Sequence, residues 1–159
     1  MAGVQFIMDL DLDLPAAQLG RLADLDRSEL IDGLGALGAS QTQRRIEEEK
    51  TDPDGTPWPA NGAGSGILFQ SGDLATSIDH QQEGADQVSW GSPLIYAAIH
   101  QQGGEIRPKT AKVLVFTIGG ETVFAKKVTI PRRSYLGMSA DNAREMEQAA
   151  LRFIGEQLR

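Results

Sequence analysis

Two apolar runs meet at the Gly119-Gly120 pair, and they constrain this chain more than any other feature. Val113 to Ile118 and Glu121 to Ile130 are rich in β-branched and aromatic residues, and a glycine pair between such runs signals a two-residue hairpin turn. If that loop sets the register, Phe116 faces Val123 and Val115 faces Phe124. Side chains alternate along a strand. Leu114, Phe116, Ile118, Val123 and Ala125 therefore share one face, and Val113, Val115, Thr117, Thr122, Phe124 and Lys126 the other. Both faces are largely apolar near the tip. A free hairpin leaves one of them in water, so each needs a cover: a helix of the same chain for one, another sheet or a neighbouring subunit for the other.

Helical periodicity supplies the first cover. Ser28 to Lys50 predicts a long helix with Ser28 as its N-cap and Leu30, Ile31, Leu34 and Leu37 as its apolar stripe. Gly33, Gly35 and Gly38 weaken it by up to about 1 kcal/mol each relative to alanine, so the helix bends there or another backbone lies close. Its polar end, RRIEEEK, is expected to face solvent or a partner. A last helix starts after Ser139, with Ala143, Met146, Ala150, Phe153 and Gln157 or Leu158 on one side, and is the natural lid for one face of the hairpin. Strands are expected at Val4–Leu10 and Gln87–Trp90. A short helix or turn is expected over Gln70–Asp79 with Ser71 as a cap, and a helix over Pro93–Gln101 stopped by Gly103 and Gly104. Pro15 suits the first turn of a helix to about Asp26. The fold class is α+β: a small antiparallel sheet centred on the hairpin, packed by a long helix of the N-terminal half and a C-terminal helix. Residues 1–27 read as an N-terminal strand and helix extension and 28–159 as one domain, with 51–66 a proline- and glycine-rich loop.

At 159 residues the chain can bury a core of its own. No apolar stretch approaches the roughly 18 residues of a membrane helix, and the start, with acids and no basic region, is not that of a secretory signal. The absence of cysteine excludes disulfides and thiolate chemistry and fits assembly in a reducing cytoplasm. The net charge of −7 repels phosphate backbones, which argues against general nucleic-acid binding. That charge is unevenly spread. Met1 to Asp54 holds most of the acid, whereas Lys109, Lys112, Lys126, Lys127, Arg132 and Arg133 cluster later. Both regions are solvated faces, or they meet between copies.

Candidate chemistry is thin. Asp9, Asp11 and Asp13 alternate with leucines and suit an acidic strand face better than a calcium loop. Asp52-Pro53-Asp54-Gly55 lacks the remaining ligands of a calcium loop, and Gly62 to Gly66 lacks a phosphate-loop lysine. His100 lies one helical turn after Tyr96, but neither a nucleophile nor an orienting acid accompanies it. Trp58, braced by Pro57 and Pro59, either folds back on its own core or anchors in a partner's pocket. Arg132 and Arg133 beside Tyr135 are a solvated turn, a clamp for a neighbour's carboxylates, or a contact to DNA phosphates.

Four segments, in order, carry a resemblance: TDPDGTPW (51–58), LFQSGDLATSI (68–78), VSWGSPLIYAAIHQQGG (88–104) and VTIPRRSYLGMS (128–139). Together they resemble the phage virion-morphogenesis (tail-completion) family of contractile-tailed, Mu-like phages. The resemblance implies a structural part and no enzyme, with no catalytic residue, metal or cofactor. It implies a homo-oligomeric ring, a hexamer by analogy, that contacts tail tube or terminator and head-connector proteins in the tail or neck of a virion. Neither a membrane nor sequence-specific nucleic acid is an expected partner. Trp58, Tyr96, His100, Phe124, Lys126, Lys127, Arg132, Arg133 and Tyr135 are the expected contact residues. A small metal-dependent hydrolase or ligand-binding module, or a connector nearer the portal, is the alternative.

Overall fold

A computed structural model describes residues 3–9, 25–62, 64 and 66–159. The expected helix over 15–26 and the carboxylates of Asp11 and Asp13 fall largely outside these residues. Strand β1 (Val4–Asp9) leads the chain, followed by helix α1 (Arg27–Arg44), which continues as a π-helical turn over Arg45–Glu49. Then come α2 (Asp73–Thr76), β2 (Asp79–Gln82), β3 (Gln87–Ser92), α3 (Ala97–Gln102), β4 (Gly104–Ile106), β5 (Leu114–Ile118), β6 (Glu121–Ala125), β7 (Val128–Ile130) and α4 (Ala140–Gln157).

The fold is α+β, with an antiparallel sheet and one long helix from each half of the chain. That sheet has three strands in the order β1-β3-β2. Its inner face pairs Phe6 with Trp90 and Met8 with Val88, and α1 lies against it. Trp90, Val88, Ile31 and Ile46 are fully or almost fully buried at this junction. Gly38 explains the close fit: a methyl group there would sit 2.6 Å from the Trp90 ring. Side chains rather than a backbone thus approach Gly38 and Gly35, the Trp90 ring at the first and Val88 with His80 at the second, while nothing lies near Gly33.

Several expectations are corrected. The hairpin of β5 and β6 is a separate two-stranded sheet and not the sheet beneath the helices. Helix α4 packs on α1 rather than over the hairpin, because Met146, Ala149, Ala150 and Phe153 join the core cluster there. Asp26, not Ser28, caps α1, accepting from the Glu29 amide at 3.0 Å. The run after Ala125 breaks at Lys126 and Lys127, and β7 changes partner to pair with β4. The RRIEEEK end is not wholly solvated. Arg45 is 1% exposed and Ile46 is fully buried. The Arg45 guanidinium donates to the Tyr135 and Gly137 carbonyls at 3.1 and 3.0 Å and to Asn142 Oδ1 at 2.5 Å. It thereby ties the end of α1 to the start of α4, where Ser139 and Asn142 form a capping box.

Candidate functional site

The hairpin forms with the expected register, Val115 opposite Phe124 and Phe116 opposite Val123. Gly119 and Gly120 both adopt positive φ, at 58° and 88°, as a turn matching the strand twist requires. The two faces have different fates. Leu114, Phe116 and Ile118 line a groove of about 840 Å³ shared with Val128, Tyr96 and His100. On the far face Val115 is 60% exposed and Phe124 67%. An apolar cross-strand pair is thus held in water on a ribbon whose strands pair only with each other.

At the foot of the ribbon lies the basic region. Lys127 Nζ and Arg107 Nε both reach Glu105, at 2.8 and 2.6 Å. Those two cations hold the Glu105 carboxyl below its ordinary pKa. Lys126 is exposed and pairs with no carboxylate among the described residues. Arg132 is exposed as well, its Nε donating to Ser134 Oγ at 2.8 Å.

Three of the expected contact residues turn inward. Trp58 is buried and donates from Nε1 to Asp52 Oδ1 at 2.9 Å. The same oxygen accepts from the Ser134 amide at 3.0 Å, so the proline loop is locked to the segment before α4. Arg133, 5% exposed, donates to the Pro59 and Ala60 carbonyls at 3.0 and 3.1 Å. Tyr135 is fully buried, its hydroxyl donating to the Ala97 carbonyl at 2.7 Å, and burial pushes its pKa up. Gln101 completes the knot, accepting from the Tyr135 and Leu136 amides. The physical reason is shared: each is a large side chain whose polar atoms find partners inside its own chain. Within one subunit these three side chains brace the fold.

Tyr96 stays 42% exposed and meets the His100 ring edge-on at 5.9 Å. His100 is half-buried, with Nδ1 lacking a hydrogen-bond partner. Burial, then the Arg133 charge, lowers its pKa. Among the described residues no three His, Asp or Glu side chains gather as a metal site requires. No helix among them is long and apolar enough to cross a membrane.

The phage virion morphogenesis family matches residues 11–154. The chain belongs to that family. It is also 30% identical, over 96% of its own length and 97% of the other's, to a putative capsid assembly protein G of Escherichia phage Mu. No solved structure matches significantly. The protein is therefore a phage structural component of virion morphogenesis. Sequence reading missed Arg45, Asp52 and Gln101 as the residues that fix the segments around the groove. The contacts by which they join distant segments carry no local signal, because Tyr135, Gly137 and Asn142 lie far from Arg45, Ser134 far from Asp52, and Tyr135 and Leu136 far from Gln101 along the chain.

Proposed function

We propose that this family member is a tail-completion or head–tail joining subunit that acts by stoichiometric contact in a closed ring, a hexamer by analogy. Its partners are further copies of itself, the tail tube or terminator, and the head-connector proteins. It takes its place in the tail or neck of the virion after assembly in the host cytoplasm. The supporting observation is the exposed Val115–Phe124 pair on the two-stranded ribbon. A monomer gains nothing from holding two large apolar side chains in water, whereas a partner that covers them gains roughly 25 cal/mol per Å² of apolar area buried. Lys126, Lys127 and Arg132 at its foot suit acidic surfaces, and the chain's own excess of acid offers them. Tyr96 and His100, on the groove wall, complete the contact region.

The name of the Mu relative, a putative capsid assembly protein, favours a second, head-side reading, in which the chain serves capsid assembly. Electron microscopy of particles made without the chain separates the two. Filled heads beside unattached tails are the expected result for a joining subunit. Absence of intact capsids with normal tails overturns that reading in favour of the head-side role.

A further inference from the structure

We propose that the outward face of the hairpin of one copy packs on the outer face of the three-stranded sheet of the next. This inference rests on the ring reading and names the two surfaces that build it. The donor surface is Val115 and Phe124, with the exposed Lys126 two residues beyond Phe124, where the strand ends. The receiving surface follows from strand alternation. Phe6, Met8, His80, Val88 and Trp90 face α1, so Gln5, Ile7, Asp9, Asp79, Gln81 and Glu83 point the other way, and all six are exposed.

Ile7, 47% exposed, stands midway along the edge strand β1 and is the one large apolar side chain among these six. Gly91 lies between Gln5 and Asp79 in register and carries no side chain. A concavity of about 550 Å³ opens over Gly91 between Gln5, Asp79, Gln81 and Ser89, with room for an aromatic ring, and Ile7 stands beside it, in register with Ser89.

Charge selects the occupant. Three carboxylates rim the face, and their hydrogen bonds come from neutral donors. Gln87 Nε2 donates to Asp9 at 2.5 Å, the His80 amide to Asp79 at 2.8 Å, and Ser89 Oγ to Glu83 at 2.6 Å. The nearest titratable partner is the His80 ring, 3.5 Å from Asp79 and 3.1 Å from Asp32. The ribbon brings a lysine without a described carboxylate partner next to an apolar pair; the sheet face has carboxylates next to an apolar centre. The complement of each is present on the other. Because the two surfaces differ, the contact is head-to-tail, and repeating it closes a ring or extends a filament.

The chain has no native cysteine, so single cysteines report the contact cleanly. Phe124→Cys and Ile7→Cys proteins, mixed and mildly oxidised, are expected to give a disulfide-linked dimer that neither gives alone. The double variant should give a covalent ladder ending at ring size. Phe124→Cys dimers without the mixed product mean ribbon-on-ribbon contact and overturn the proposal. Ring-sized particles in sedimentation with no mixed crosslink overturn it too while leaving the ring reading standing. A chain that stays monomeric alone and on purified tails removes both. Lys126→Glu should weaken self-association roughly tenfold, the scale of one repulsive charge contact, and Glu83→Lys should restore it. Weakening without restoration counts against the pairing. Thermal unfolding of each variant confirms that the exposed substitutions leave the fold intact.

Discussion

At Gly38 there is no room for a methyl group, since the Trp90 ring already occupies the space. Gly38→Ala should cost about 1–3 kcal/mol in denaturant unfolding through overpacking, although alanine is the better helix former. Arg45 gives a second test. Arg45→Ala leaves two carbonyls and the Asn142 amide oxygen without their donor, and should cost about 3 kcal/mol. His100 gives a third, with a sign. Burial lowers its pKa below the ordinary 6.5, so the unfolded chain takes up a proton before the folded one. Its contribution to stability is complete above that ordinary value and declines as pH falls from there toward the folded pKa. The denaturation midpoint should drop over that window, and His100→Gln should flatten the drop. At this scale the sequence was a partial guide. It singled out Trp58, Arg133 and Tyr135 as large, partner-seeking side chains, which they are. It could not say that Asp52, Pro59 and Ala97 of the same chain satisfy them, because those pairings follow from the fold.

Elements were more legible than contacts. The hairpin register followed from the glycine pair and period-two alternation, because a two-residue turn leaves one way to align the strands. Both long helices followed from their stripes, and α4 begins after Ser139 as its cap requires. Ser139→Ala should cost about 1 kcal/mol, read from the unfolding midpoint. The three-stranded sheet was hidden for two reasons. Strand β2 is DHQQ, which carries no apolar alternation, and β1 pairs with β3 across some eighty residues. The hairpin then stands apart from that sheet, which no local pattern announces. Its independence makes a sharp prediction. Phe124→Ser should change stability by no more than about 0.5 kcal/mol, since the ring is exposed, yet weaken self-association in sedimentation. A large loss of stability means that the ring packs within its own subunit.

Over the whole molecule, the segments that carry the family resemblance turn out to be the internal frame. TDPDGTPW, YAAIHQQ and IPRRSYLG meet through Asp52, Gln101 and the Tyr135 hydroxyl, while LFQSGDLATSI contributes Leu74, Ala75 and Ile78 to the core. The surfaces proposed to meet other subunits lie elsewhere, on the ribbon and the outer sheet face. Opposed charge on those surfaces makes association salt-sensitive. Raising ionic strength from 0.05 to 0.5 M should weaken it while leaving the fold in place. The most direct measurement is sedimentation of the purified chain, alone and with tails assembled in its absence. The expected result is binding to tails in a fixed ratio of several copies per tail, with Phe124→Ser left behind in solution. A wild-type chain that stays a monomer at high concentration and does not travel with tails contradicts the claim that it works by being built into a larger particle.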